Sequence, residues 1–119
     1  MTIESLSAIT LVTRDMARAF RFYQALGFEC LKGGADTRFA SFKAGAQYLN
    51  LMVKEGPEAL GGWGRAIFYV SDVDAIYRRA LAQGITPAFP PRDAAWGERY
   101  FHVVDLDGHE ISLAKPLGA

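Results

Sequence analysis

The chain has 119 residues, half of them hydrophobic, a length that suits one compact domain or two half-size modules sharing a core and excludes two independent enzyme domains. Thirteen basic and thirteen acidic residues cancel, so no net field draws the chain to nucleic acid or to an anionic membrane surface. Cys30 is the only cysteine, which excludes an intramolecular disulfide and a thiolate metal cluster; it reads as a small core residue.

The first residues, Met1 to Ile9, hold neither a basic n-region nor an apolar run long enough for a signal peptide or a membrane span, so a cytoplasmic location is expected. An apolar-rich strand then runs from Ala8 into Asp15. Met16, Ala19, Phe20, Tyr23 and Leu26 follow at the spacing of one helical face, with Asp15 placed to cap the helix start and Gly27 to end it. Three short strands are predicted next, at 28–32, 37–43 and 47–54, with turns at Gly33-Gly34 and Gly45.

The same order then recurs. Gly61-Gly62-Trp63-Gly64 breaks the pattern, and a second strand from Arg65 runs into Asp72. Val73, Ile76, Tyr77, Ala80 and Leu81 form a second helical face, stopped at Gly84. Strands are predicted at 86–89, 99–104 and 110–115, the last two joined at Asp107-Gly108. Asp15 and Asp72 are separated by the same distance along the chain as Gly27 and Gly84, so strand, cap and stop repeat together. The fold class is therefore α+β: two tandem βαβββ modules, about 1–60 and 65–119, joined by a linker at 61–64. One helix covers one face of each sheet, and the other face must be buried by the second module, another chain or a ligand.

With these elements in place, the chain resembles the glyoxalase/bleomycin-resistance/dioxygenase (vicinal oxygen chelate) superfamily. Phe22-Tyr23-Gln24-Ala25-Leu26-Gly27-Phe28 matches that family's FY…LGF helix end, and Asp105 to Leu113 loosely matches its DPDGxxxEL hairpin. Trp96-Gly97-Glu98-Arg99-Tyr100-Phe101 resembles the WGxREF segment of the bleomycin-resistance branch. The resemblance implies a curved, eight-stranded mixed sheet, and a homodimer with ligand grooves between chains. It also implies, for the family's enzymes, a divalent metal held by one side chain from the first and last strand of each module. Those positions fall on Ala8, Asn50, Arg65 and Ser112, none of them a His or a carboxylate, so no metal and no other cofactor is expected.

The remaining donors offer little by spacing alone. His102 has no evident carboxylate or nucleophile partner and reads as a core or pocket-lining residue. His109, Asp105, Asp107 and Glu110 crowd what reads as a surface hairpin, and Asp105-Leu-Asp-Gly108 lacks the rest of a calcium loop. Strand alternation assigns Ile9, Leu11, Leu49, Leu51, Val53, Ala66, Phe68, Val70, Ile111 and Leu113 to the helix side. The open side then carries Ala8, Thr10, Val12, Tyr48, Asn50, Met52, Arg65, Ile67, Tyr69, Ser112 and Ala114, with Tyr100 and His102 joining them. Trp63 and Trp96, both beside glycine, are candidates either for stacking on a flat ligand or for core or dimer packing. Arg65 and Arg99 are placed to pair either with an anionic ligand group or with acids such as Glu98. The expected function is metal-free binding, and so sequestration, of a small aromatic compound by a homodimer. The alternative is a lyase, isomerase or dioxygenase with an atypical metal site.

Overall fold

The computed structural model of the chain describes residues 1–118. Its elements run β1 (Ala8–Thr13), α1 (Met16–Leu26), β2 (Glu29–Lys32), β3 (Phe39–Ala44), β4 (Gln47–Val53), β5 (Arg65–Tyr69), α2 (Val73–Ala82), β6 (Arg92–Asp93), β7 (Glu98–Val104) and β8 (Glu110–Pro116). Each half is a βαβββ module. The eight strands form two four-stranded mixed sheets, ordered β1-β4-β3-β2 and β5-β8-β7-β6, rather than one hydrogen-bonded sheet. In both, the first strand pairs parallel with the last and the other neighbours are antiparallel.

Both helices begin as the repeat predicts. Asp15 accepts a hydrogen bond from Arg18 N–H and Asp72 from Ala75 N–H, satisfying donors that the first helical turn leaves free. Gly27 ends α1 at a φ of 119°, a conformation that a Cβ disfavours, and its N–H returns to the Tyr23 and Gln24 carbonyls. The buried faces are Met16, Ala19, Phe20, Tyr23 and Leu26 on α1, and Val73 and Ala80 on α2.

One hydrophobic core runs through both modules, from Leu11, Phe20, Leu49 and Leu51 to Phe101, Val103, Ile111 and Leu113. Phe28 meets Phe68 edge-on at 5.0 Å, and Arg79 of α2 donates to the Ala25 carbonyl at the end of α1. Burial of Leu11, Leu49, Leu51, Ala66, Ile111 and Leu113 follows the alternation read from the sequence.

Two further expectations change. Residues 86–89 are not a strand; β6 is the short segment Arg92–Asp93, and Ala88 is tied to β7 by a single bond from its N–H to the His102 carbonyl. The β7–β8 hairpin is not a free surface turn either. Asp105 and His109 are buried, and the Asp107 side chain is almost wholly covered. Tyr23 O–H donates to Asp105 Oδ2 at 2.5 Å, and Thr13 O–H and Arg14 N–H donate to Asp107. Trp63 Nε1–H donates to His109 Nδ1 at 2.7 Å, which leaves the proton on Nε2 to donate to the Val12 carbonyl. Asp105, Asp107 and His109 therefore clamp module 2 onto the β1–α1 corner of module 1.

Candidate functional site

Strand alternation and cross-strand register define the face of each sheet turned away from its helix. On the first sheet, Thr10, Asn50 and Ser41 stand in one row across β1, β4 and β3. Ser41 O–H donates to Asn50 Oδ1 at 2.8 Å, and the Asn50 amide donates to Thr10 Oγ1 at 3.3 Å. Phe39, Tyr48 and Met52 lie on the same face and are exposed. This surface has a polar stripe between large apolar side chains.

The second sheet carries the matching arrangement. Arg65, Ile67 and Tyr69 on β5 share a face with Glu110, Ser112 and Ala114 on β8 and with Tyr100 and His102 on β7. Arg65 Nε lies 3.3 Å from Glu110 Oε1, and His102 Nδ1 lies 3.0 Å from the same oxygen. His102 therefore has the carboxylate partner that linear spacing did not reveal; Glu110 is also a functional candidate the sequence reading missed. The signal was available only once β7 and β8 were paired, because Glu110 sits diagonally across the hairpin from His102. Burial, then the nearby Arg65 charge, lowers the His102 pKa below its ordinary value, with Glu110 pulling the other way.

At the far end of this face, Glu98 accepts from Trp96 Nε1–H at 2.9 Å and from Tyr69 O–H. Trp96 is 65% exposed and its ring rests on Tyr100 at 5.2 Å; Tyr69 and Ile67 are 64% and 57% exposed. The Glu98 hydrogen bond, with lesser contributions from desolvation and charge, raises the Tyr69 pKa.

The structure thus brings Arg65, Tyr69, Trp96, His102 and Ser112 to one face, and Thr10, Tyr48 and Asn50 to another. It does not bring Arg99 to either, while Trp63 lines a cavity of about 420 Å³ along β1 together with Thr10 and Val12. Arg99 projects to the helix side, where its guanidinium pairs with Asp74 at 2.9 Å and Asp93 at 3.0 Å; these bonds raise the Arg99 pKa and lower that of Asp74. Position 99 alternates with Tyr100, so a strand with Tyr100 on the open face must send Arg99 to the other. Trp63 is committed to His109 in the inter-module clamp. Cavities of about 240 to 780 Å³ are lined in part by the open-face residues Thr10, Tyr48, Ile67 and Tyr69, and not by Asn50, Arg65, Trp96, His102 or Ser112. The largest lies on the helix side, between Arg18, Arg79 and Leu106. Within one chain the two open faces meet at a small cavity of about 240 Å³, lined by Ala8 and Tyr48 of the first sheet and Ile67 of the second.

The residues at the positions for a metal do not suit one. Ala8 has no donor atom, Arg65 is a fixed cation paired to Glu110, the Asn50 amide is engaged on both sides, and Ser112 offers a buried neutral hydroxyl. No helix among the described residues is long and apolar enough to cross a membrane.

Paired βαβββ modules, each with one sheet face covered by its helix and the other left open, define a class of small two-module folds. The sequence profile of the Glyoxalase/Bleomycin resistance protein/Dioxygenase superfamily matches residues 5–113, and the chain belongs to that superfamily. Its fold is similar to that of TioX from Micromonospora sp. ML1, at a TM-score of 0.76 and 27% identity, covering 96% of this chain and 100% of that one. It is also similar in fold to a bleomycin resistance determinant encoded on the transposon Tn5, at a TM-score of 0.77 and 22% identity, covering 95% and 98% of the two chains. Among curated proteins, 62 residues are 44% identical to the uncharacterized protein Rv0887c of Mycobacterium tuberculosis strain H37Rv, a match over 51% of this chain and 36% of that protein. A 44% match to Mb0911c of Mycobacterium bovis covers 41% of that protein, so the chain spans well under two thirds of the curated relatives it matches.

Proposed function

We propose that the protein binds a small, flat aromatic compound on its open sheet faces and sequesters it without metal-assisted chemistry. The observation that carries this reading is the composition of those faces. Each places a fixed polar row among exposed aromatic and apolar side chains, the mixture by which small-molecule sites combine affinity with orientation. A homodimer, in which one copy's first sheet faces the other copy's second sheet, would convert two open faces into a closed groove. The exposure of Tyr48, Phe39, Met52, Ile67 and Tyr69 supports such a partner, since contiguous apolar patches on a free monomer are uncommon. Arg65 on the face and a net charge of zero disfavour a strongly cationic ligand.

Native mass spectrometry of the purified protein, with elemental analysis of the same sample, tests the reading. A dimer without stoichiometric metal, whose melting temperature rises with aromatic compounds, supports it, because a ligand that binds only the folded state must raise that temperature. Stoichiometric zinc, nickel, manganese or iron, with turnover lost on chelation and restored by the ion, overturns it in favour of a lyase, isomerase or dioxygenase. A monomer with no thermal response to any of the compounds overturns it in favour of a purely structural role.

A further inference from the structure

We propose that His102 Nε2 accepts a hydrogen bond from the ligand, which makes the ligand a planar compound bearing a neutral O–H donor, a phenol or an enol. The inference rests on the binding role proposed above and specifies its chemistry.

Glu110 Oε1 lies between the Arg65 guanidinium, at 3.3 Å, and His102 Nδ1, at 3.0 Å. The carboxylate oxygen has no hydrogen to offer and can only accept. The imidazole proton is therefore on Nδ1, and Nε2 presents a lone pair. No group of the chain meets it: His102 is 8% exposed, and Nε2 is buried with no hydrogen-bond partner among the described residues. A buried acceptor left unmet is destabilising, and native proteins leave few of them.

The surroundings select the donor. The Phe89 and Tyr100 rings pack against the imidazole, each at 5.1 Å, and Arg92 lies over the Phe89 ring. Flat aromatic walls suit a flat ligand. Arg65 and Arg92 oppose an ammonium donor, and an ionised carboxylate has no proton to give. A phenolic or enolic O–H fits both conditions, because its oxygen gains negative character as it donates and the two guanidinium groups favour that. The same two cations and the burial keep the imidazole neutral and able to accept, against the opposing pull of Glu110. Nε2 is covered in the free chain, so a ligand reaches it only as neighbouring groups shift; the Phe89 segment beside it is tied to β7 by the Ala88 N–H bond.

The first test needs no ligand. Nitrogen-15 NMR of the free protein is expected to show His102 as the Nδ1–H tautomer with an unprotonated Nε2; an Nε2–H tautomer overturns the proposal. The second compares 2-naphthol with 2-methoxynaphthalene, which has the same rings and no donor, by calorimetric titration. The wild type is expected to favour 2-naphthol about three- to tenfold, the worth of one net hydrogen bond. His102→Leu is expected to abolish that preference while retaining affinity for the rings. If His102→Leu does not fold, Glu110→Ala decides, since freeing Nδ1 from its acceptor lets the proton move to Nε2; an unchanged preference there overturns the proposal. Equal affinities in the wild type overturn it while leaving aromatic binding intact, and binding of neither compound removes the binding role as well.

Discussion

Replacing Tyr23 by Phe deletes one oxygen and leaves the ring packing in place. Tyr23 is fully buried, and its hydroxyl is the donor to Asp105 Oδ2, while Asp105 Oδ1 accepts from the Asp107 and His109 N–H groups. Asp105 is itself only 6% exposed, so the variant leaves one oxygen of a buried carboxylate unmet. Hydrogen bonds to ionised groups contribute about 1.5–3 kcal/mol, and the loss is expected in that range. With a urea slope of about 1–3 kcal/mol per molar, the unfolding midpoint should fall by roughly 1 M with the slope unchanged. The pH dependence gives a second reading. Burial, and next the Asp105 charge, raises the Tyr23 pKa well above the ordinary tyrosine value. Below that ordinary value both folded and unfolded states hold the proton and nothing changes with pH. Above it the unfolded chain releases the proton while the folded protein keeps it, so stability falls as pH rises, by up to about 1.4 kcal/mol per pH unit, until the folded-state pKa is passed. The two proteins differ in this one ionisable group, so the difference between wild type and Tyr23→Phe isolates it. A loss below about 0.5 kcal/mol at neutral pH, the range of ordinary surface changes, with parallel alkaline curves, would refute the argument.

Three further outcomes are expected. Trp96→Ala should weaken 2-naphthol binding roughly three- to tenfold in calorimetry, the worth of one aromatic contact. Because the ring is exposed, it should change stability by less than about 0.5 kcal/mol; an unchanged affinity removes Trp96 from the site. Arg99→Gln should leave that affinity unaltered, since the guanidinium faces Asp74 and Asp93 on the helix side. In NMR titration the same variant should return the Asp74 pKa upward, and with it should go the stabilisation that the wild type holds above the ordinary aspartate value and loses as pH falls through the depressed one. Gly61→Ala would set a Cβ 2.2 Å from the Gly108 carbonyl oxygen, a backbone atom, so linker and hairpin must part; a melting-temperature drop corresponding to about 1–3 kcal/mol is expected.

The fold was legible because its determinants are local and occur twice. Asp15 and Asp72, and the glycines at 27 and 84, mark equivalent ends, and the apolar spacing between them is helical in both copies. The second module's third element was misplaced for a physical reason. Residues 86–89 include Pro87 and run into Pro90-Pro91, so only Ala88 donates to β7 there, and only Arg92–Asp93 joins the β7 ladder. Proline has no N–H to give to a ladder, a signal the strand expectation passed over.

The site was legible by face and not by pairing. Alternation alone assigned Asn50, Tyr69, His102 and Ser112 to the open sides, yet it contains nothing about which side chains meet across strands. Once β7 and β8 are in register, Glu110 reaches His102, and the tautomer, the free Nε2 and the choice of donor follow from that one contact. The hairpin that supplies Glu110 also supplies Asp105, Asp107 and His109 to the clamp on module 1. Neighbouring residues thus serve two different ends: those pointing into the chain fix how the two modules sit, and Glu110, pointing to the open face, fixes what His102 can accept. A substitution that loosens the clamp, such as Tyr23→Phe, should therefore lower stability while leaving the preference for 2-naphthol over its methyl ether unchanged, whereas Glu110→Ala should abolish that preference.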